Sequence, residues 1–433
     1  MIKEILHIAL QLLLMPLLLV PMLTGCTNSG DDAYQPLSSQ PVKLELTIAL
    51  TTRGGDGEKM PACEEVQKNQ LRIIMINEEG EVEYNGIPSS IQGPLSGDVV
   101  DGTQQFKEIY KVKIQTTTAG KKRFYALANA ENLLTEDIKH AKDGEVLISK
   151  LEALTFDKLM VTPAPGEYIP LSSPACCGEV SVPTLEKPEL EADDNRVTIV
   201  MAYAAVKFSF KFVNDITKVE DRDNLEIVGW TLRPLATQSY LLPHMTADAW
   251  QKLIALGGKE FSDSEASQDN WVTGYDVPQK PNGDGKEDEP NEGQTDYTYT
   301  YATPFRLLYG SQNARDEEAQ DIFYYLHESK SALKDENQSQ AYYLTLRIRD
   351  KNTPQDKFLI CGPKHLPNLQ SLVRGTHVRI TATIKALPGK GENDLDVRVK
   401  TWERKEDVEG GWEEVESLNS DHGEIDDEET NNE

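Results

Sequence analysis

A two-residue alternation of apolar and polar side chains recurs along this chain and constrains its fold more than any other feature. It is most regular in residues 42–50, VKLELTIAL, whose alternate apolar positions are Val42, Leu44, Leu46, Ile48 and Leu50. Because successive side chains of a β-strand point to opposite faces, this pattern predicts a strand with one buried face. The same alternation marks residues 110–114, 206–212, 342–348, 378–384 and 395–399.

Clusters of Gly, Pro, Asn and Asp separate these segments, which favours antiparallel β-sandwiches. We therefore predict an all-β fold of two tandem antiparallel β-sandwich domains, transthyretin-like or Greek-key in type, with a few short helices. Helical periodicity is confined to residues 131–156, which predict one or two short helices, and to a stretch around Trp250.

The domain organisation follows from length and from one break in the pattern. At roughly 150 residues per domain, a chain of 433 residues has room for two or three domains. The charged, proline-containing segment EKPELEADDNR at 186–196 predicts a boundary. The predicted parts are a signal peptide at 1–25, a tether at 26–40, an N-terminal β-sandwich at 41–190, a C-terminal β-sandwich at 191–402 and an acidic tail at 403–433.

The charge balance excludes one class of partner. Acidic residues outnumber basic ones by 72 to 44, and the net charge is −28. Nucleic-acid phosphates require a basic surface, so nucleic acid is not an expected partner. The acidic tail is typical of a solvated end and not of a metal site.

The N-terminus has the composition of an export signal. Lys3 precedes an apolar run that ends in LTGC at residues 23–26. Pro16 and Pro21 interrupt the run, which argues against a transmembrane helix. LTGC resembles the bacterial lipobox, whose cysteine becomes the acylated first residue of the mature chain. We therefore predict that Cys26 carries lipid, such as palmitate.

The other four cysteines are Cys63, Cys176, Cys177 and Cys361. An exported protein can oxidise its thiols, and a bridge from Cys176 or Cys177 to Cys63 is one possibility. Isolated thiols are the other possibility. A bridge between Cys176 and Cys177 is not expected, because adjacent cysteines do not readily pair with each other. The chain has no CxxC pair, so we predict neither a zinc site nor a thioredoxin-type site.

Enzyme motifs are missing from the sequence, which lacks HExxH, GxSxG and GxxxxGK[ST]. His327 beside Glu328 resembles a base with its orienting acid, but neighbours in a strand point to opposite faces. Cys177 has no patterned histidine partner that would make it a nucleophile. We predict no enzymatic activity and no cofactor.

Two further segments have alternative interpretations. The loop NGDGKEDE at 282–289 resembles a calcium loop, but Lys286 stands where an oxygen ligand is needed, so we predict an acidic loop without metal. Tyr297, Tyr299 and Tyr301 alternate with threonines, and Tyr309 follows them in the sequence. They could form a sugar-stacking face, or they could simply belong to one strand.

Directly after the strand at 42–50 comes TTRGG, a polar joint of the kind that a trypsin-like protease can enter. In chain order, this joint and several other blocks resemble the fimbrillins, the major and minor pilin subunits of the type V pili of Bacteroidetes. The other blocks are LTGC at 23–26, LRIIMINEEGEV at 71–82, RFYALANAENL at 123–133, YIPLSSPACCGEVSV at 168–182, RVTIVMAYAAVKFSFKF at 196–212, IVGWTLRPLATQSYLLP at 227–243, FYYLHES at 323–329, YYLTLRI at 342–348, RGTHVRITATIKA at 374–386 and LDVRVKTW at 395–402.

The resemblance implies a pilus subunit that serves adhesion at the outer membrane and cell surface. It implies a cut by an arginine-specific protease between Arg53 and Gly54, and hence a removable strand at 42–50. The implied partners are other pilus subunits, in a homo- or heteropolymer, and the outer membrane through the lipid before the cut.

The sequence departs from the family pattern in two places. Tyr203 stands near a position that is usually basic, and no two-residue alternation follows Trp402. The second departure weakens the expectation of a C-terminal donor strand in the region 403–433. A tip or anchor subunit of the pilus therefore remains an alternative, and so does a sugar-binding surface lipoprotein.

Overall fold

The computed structural model describes residues 41–50, 61–96, 99–100, 104–105, 108–157, 164–183, 190, 195–245, 250, 253, 294–330, 343–352, 355–361, 371–387 and 395–401.

Strands dominate the described part of the chain, which confirms the all-β prediction. The strands of its first half are β1 (Val42–Leu50), β2 (Arg72–Ile76), β3 (Val82–Gly86), β4 (Ile91–Ser96), β5 (Val99–Val100), β6 (Gln104–Gln105), β7 (Glu108–Thr116), β8 (Gly120–Ala128), β9 (Thr155–Phe156), β10 (Leu171–Ser172), β11 (Cys176–Val180) and β12 (Arg196–Tyr203). Those of its second half are β13 (Val206–Asn214), β14 (Leu225–Ala236), β15 (Ser239–Tyr240), β16 (Gln294–Arg306), β17 (Arg315–Asp316), β18 (Tyr324–Leu326), β19 (Ser329–Lys330), β20 (Tyr343–Asp350), β21 (Asp356–Cys361), β22 (Ser371–Leu372), β23 (His377–Ile384) and β24 (Leu395–Thr401).

Among the segments that the structure describes in full, helices are few and short. They are α1 (Glu136–Lys139), α2 (Gly144–Glu152) and α3 (Val219–Arg222), with 3-10 turns at Ala62–Glu64, Lys68–Gln70, Ser311–Asn313 and Glu318–Gln320. One or two short helices were expected within 131–156, and α1 and α2 confirm this prediction. The Asp143 side chain accepts a hydrogen bond from the Val146 N–H at the start of α2, which satisfies one of the free donors of that terminus. Within the described ranges, no helix has the length and apolar character needed to cross a bilayer.

The first large sheet contains the strand at 42–50. Its strand order is β3-β2-β8-β10-β12-β1-β7-β4, and β11 pairs with β8 beside this path. Buried apolar side chains from β1, β2, β7, β8 and β12 form one core on a face of this sheet. Helices α1 and α2 contribute to a second, smaller cluster with residues of β2 and β8.

Strand β12 lies beyond the predicted domain boundary at residues 190 and 191, and yet it is the neighbour of β1 in this sheet. Only Ala204 and Ala205 separate β12 from β13, which belongs to the next sheet. The chain therefore passes from the first sheet to the next at these two alanines, and the domain boundary at 190 and 191 stays a prediction. A charged, proline-containing segment identifies a connection, but it does not reveal which strands pair on either side of it.

The second half of the chain contains a sheet of order β17-β13-β23-β24, with β18 also on β13, and a sheet of order β16-β14-β20-β21. Buried side chains from both sheets form one core, in which the ring centroids of Phe210 and Trp230 are 4.7 Å apart. The pairs β1–β12 and β13–β23 are parallel, so the expectation of purely antiparallel sheets was wrong. Such pairs join strands that are far apart in sequence, and a residue pattern cannot reveal their direction.

Candidate strand-binding site

Strand β1 occupies an interior position in its sheet. On one side it pairs antiparallel with β7, from Val42 opposite Thr116 to Ala49 opposite Ile109. On the other side it pairs parallel with β12, from Glu45 opposite Arg196 to Leu50 opposite Met201. Both backbone edges of β1 are therefore used, although this strand is the first described element of the chain.

The inner face of β1 is the predicted apolar face. Leu44, Leu46 and Ile48 are completely buried, Leu50 is 2% exposed and Val42 is 8% exposed. All five of the residues predicted as the removable strand are thus brought together, and burying five such side chains is worth about 8–15 kcal/mol as an upper estimate. Their cross-strand neighbours on this face are Tyr110, Val112 and Ile114 of β7 and Val197, Ile199 and Met201 of β12.

The outer face of β1 is partly polar. Glu45 lies opposite Lys113 in β7 and opposite Arg196 in β12. Its carboxylate is 3.9 Å from the Lys113 ammonium and 4.0 Å from that of Lys111. Toward the end of the strand, Ala49 and Ile109 form a small buried cluster.

Strands β7 and β12 form the two walls of the slot that β1 occupies, and contacts outside β1 support each of them. The Tyr110 hydroxyl donates to Glu108 Oε2 at 2.9 Å, and burial raises the pKa of Tyr110. Gly178 of β11 lies close against β12, because a Cβ on Gly178 would come within 2.6 Å of Val197 Cγ2. A larger residue at this position would press on the strand that borders β1.

In this geometry, β1 fills a slot between two other strands. Removing β1 would leave the facing edges of β7 and β12 without backbone partners and would expose the apolar row between them. A strand of matching pattern could fill the same space with main-chain hydrogen bonds and side-chain pockets. The residues that the sequence assigns to lipidation and processing, which are Cys26, Arg53 and Gly54, lie outside the described residues.

No protein-family model and no curated protein matches the chain. Similar solved structures include a fimbrilin from Porphyromonas gingivalis, with 11% identity, a TM-score of 0.44, and coverage of 84% of this chain and 98% of that one. They also include a tip fimbrial protein with a C-terminal truncation from Porphyromonas gingivalis, with 13% identity, a TM-score of 0.40, and coverage of 84% and 100%. A third is a fimbrial assembly protein from Parabacteroides distasonis, with 11% identity, a TM-score of 0.41, and coverage of 83% and 95%.

All three are fimbrial proteins. The likeness is distant, with identities of 11–13% and TM-scores of 0.40–0.44. The function proposed below therefore depends on the chain's own residues.

Cys63, Cys176 and Cys177 form no disulfide, so of the two predicted alternatives, a bridge to Cys63 or isolated thiols, the second holds for these three residues. Cys63 Sγ donates to the Tyr325 hydroxyl at 3.3 Å, and Cys176 Sγ donates to the Thr198 carbonyl at 3.2 Å. Burial raises the pKa of the Cys176 thiol. Cys361 is the last residue of β21.

His327 and Glu328 make separate structural contacts and not a catalytic pair. His327 is buried and its Nδ1 is 2.8 Å from Ser239 Oγ. Glu328 instead binds Arg374. Among the described residues, no cluster of His, Cys, Asp and Glu has the arrangement of a metal site.

The tyrosines of β16 belong to the core and not to a sugar-stacking surface. Tyr301 is 7% exposed. Tyr297 and Tyr299 pack against the core that contains Trp230, with ring centroids 5.6 and 5.8 Å from the indole. The calcium-like loop at 282–289 lies outside the described residues.

The sequence pattern did not reveal two buried charged clusters, Lys207 with Glu64 and Arg374 with Glu328. In β13, Lys207 and Ser209 were assigned to a polar face, but each is only 3% exposed. Lys207 Nζ lies 3.1 Å from Glu64 Oε1, which also accepts a hydrogen bond from the Tyr325 hydroxyl at 2.9 Å. The partners are 143 and 118 residues from Lys207 in sequence, and no local spacing could have indicated their contact.

Proposed function

We propose that this chain is a structural subunit of a cell-surface fimbria that is exported as a lipoprotein precursor and assembled by strand exchange. The observation that carries the proposal is the position of β1. It is an N-terminal strand whose two edges and apolar face are all engaged, and the Arg53–Gly54 joint follows it in the sequence.

In this proposal, Cys26 holds the precursor at the outer membrane through its lipid, and β1 keeps the subunit's own sheet complete. An arginine-specific protease cuts after Arg53, which releases both the lipid and the covalent hold on β1. A strand from a neighbouring subunit then takes the place of β1, and repetition of this step builds a fibre that serves adhesion.

The energetics explain why the cut alone does not open the slot. Loss of the five apolar side chains of β1 would cost about 8–15 kcal/mol as an upper estimate, so the cleaved strand stays bound until another replaces it. If an incoming strand restores the same contacts, the net free-energy change of the exchange is close to zero. The cut makes the exchange possible, because it turns the intramolecular contact between β1 and its sheet into an intermolecular one from which β1 can dissociate.

The experiment compares mature protein sheared from cells that express the unmodified chain, an Arg53→Ala variant or an Arg306→Ala variant. Arg306 is an exposed arginine of β16 and is the matched control. We expect the unmodified chain and the Arg306→Ala variant to begin at Gly54 and to give heat-sensitive ladders on gels. The Arg53→Ala variant should be uncut and should give no ladder. Ladders from the Arg53→Ala variant, or surface protein that begins at acylated Cys26, would contradict the proposal.

A tip or anchor position is the second candidate, and one observation favours it. Beyond Trp402 the apolar residues Val408, Trp412, Val415 and Leu418 are irregularly spaced, so this region does not have the pattern of a donor strand. A tip subunit would be cut at Arg53 and found only at fibre ends by immunogold labelling. An anchor would keep its lipid and remain uncut.

A further inference from the structure

We propose that the slot occupied by β1 selects its incoming strand by charge: it takes a strand of another fimbrial subunit that carries a carboxylate at the position of Glu45. This inference rests on the proposed exchange of β1. It adds a requirement on the solvent side of the strand to the apolar requirement on the inner side.

Three basic residues surround the position of Glu45. Lys113 is directly opposite in β7, Arg196 is directly opposite in β12, and Lys111 lies two residues from Lys113 on the same face of β7. The Glu45 carboxylate lies within 4.0 Å of both lysine ammonium groups. No other outward position of β1 has basic residues directly opposite on both sides, since Lys43 faces Gln115, Thr47 faces Lys111 and Thr198, and Ala49 faces Ile109 and Val200.

Without β1, these three cations would line both rims of the same stretch of the slot. A local cluster of positive charge is notable in a chain with a net charge of −28. Opposite charges across neighbouring strands stabilise the pairing, and like charges directly opposite destabilise it. A strand with Lys or Arg at this position would therefore meet three like charges, whereas Glu or Asp would meet three opposite ones.

The partner strand can thus be described by its chemistry. It needs apolar residues at the five inward positions now filled by Val42, Leu44, Leu46, Ile48 and Leu50, and an acidic residue between the second and third of them. The lysine side chains are 42% and 52% exposed, so salt will screen the selection. Apolar burial supplies the affinity, and the charges discriminate between competing strands.

The test uses purified precursor cut after Arg53 and labelled peptides of residues 41–53 as incoming strands. One peptide has the natural sequence, and the others carry Glu45→Gln, Glu45→Lys or, as a matched control, Lys43→Gln. Exchange is followed by fluorescence anisotropy at about 0.01 M and about 1 M salt, where the Debye length is about 30 and about 3 Å. We expect the natural peptide to bind about tenfold more tightly than the Glu45→Lys peptide at low salt, with the Gln peptide between them.

Two protein variants complete the experiment. Lys111→Gln/Lys113→Gln should reduce the preference for Glu45, and Lys111→Glu/Lys113→Glu should reverse it, with thermal unfolding of each uncut protein as the folding control. The Lys43→Gln peptide should bind within about twofold of the natural one, because a glutamine and not a charged residue lies opposite.

The outcomes separate this inference from the proposed function. If all peptides exchange equally at low salt, or if the preference survives the double lysine variants, selection by charge is wrong while strand exchange stands. If no peptide displaces β1 from the cut protein, both the proposed function and this inference are wrong.

Discussion

Arg374 Nη2 lies 2.7 Å from Glu328 Oε2, and both side chains are completely buried. The same guanidinium donates to the carbonyls of Tyr240 and Leu241 and to Ser172 Oγ of β10. One ion pair therefore ties the end of β15 to a strand of the first sheet. Its hydrogen bonds compensate the cost of burying two charges.

Replacing Arg374 by Met should destabilise the protein by about 3–5 kcal/mol, because it leaves the Glu328 carboxylate buried and without its cation. Denaturant unfolding of the uncut chain measures this effect. The double variant Arg374→Met/Glu328→Met should recover part of the loss. A double variant as unstable as the sum of the single variants would show that the two side chains act independently.

The pair of Lys207 and Glu64 should behave in the same way. Lys207 Nζ also lies 3.8 Å from the centroid of the Phe323 ring, in a site closed to water. Lys207→Met should cost about 3–5 kcal/mol, because it removes the ammonium group that lies 3.1 Å from the buried Glu64 carboxylate. The matched control is Lys211→Met on the same strand, since the Lys211 side chain is 47% exposed and its ion pair with Asp316 should be worth about 1 kcal/mol or less. Equal effects of the two substitutions in thermal unfolding would contradict the assignment.

The inner face of β1 should dominate the stability of the uncut protein. Leu46 is completely buried, and Leu46→Ala should cost about 2–5 kcal/mol through lost burial and the cavity left behind. Thr47 is the matched control, because its side chain points to the outer face and is only partly buried. Thr47→Ala should cost about 1 kcal/mol or less in the same denaturant titration. If Leu46→Ala changed stability no more than Thr47→Ala, β1 would not be an essential part of the core.

Two buried groups should give opposite dependences of stability on pH. Burial lowers the pKa of His327 from 6.5 to about 4. The unfolded chain then binds more protons between these values, so stability from His327 is full above pH 6.5 and is lost as the pH falls toward 4. A pKa difference of about 2.5 corresponds to about 3 kcal/mol.

Burial also raises the pKa of Glu317 from 4.5 to about 7, against the hydrogen bonds that its Oε1 accepts from the hydroxyls of Tyr301 and Tyr324. Here the folded chain binds more protons, so the contribution of Glu317 is full below pH 4.5 and is lost as the pH rises toward 7. Its size is again about 3 kcal/mol, in the opposite direction.

These two effects should largely cancel in the natural chain between pH 4.5 and 6.5. Glu317→Gln should therefore make stability increase with pH in this window, and His327→Gln should make it decrease. Chemical denaturation at several pH values measures both slopes. Parallel pH profiles of the two variants would contradict the opposite signs.

The sequence by itself determined where the strands lie and which side of β1 is buried. An apolar residue at every second position can be buried only as one face of a strand, so β1, β7, β13, β20, β23 and β24 could be recognised from local pattern, apart from Tyr342, which lies outside the described residues. The same two-residue alternation, with little helical periodicity beside it, also predicted that helices would be few and short.

Tertiary structure alone decided which strands pair and which charges are buried. The position of β1 between β7 and β12 joins residues that are 60 to 74 apart in sequence on one side and 151 apart on the other. Lys207 and Arg374 have the local surroundings of exposed residues, and they are buried because Glu64 and Glu328 reach them from distant parts of the chain. A two-residue pattern records the alternation of faces, and it contains no information about what the other strands place against each face.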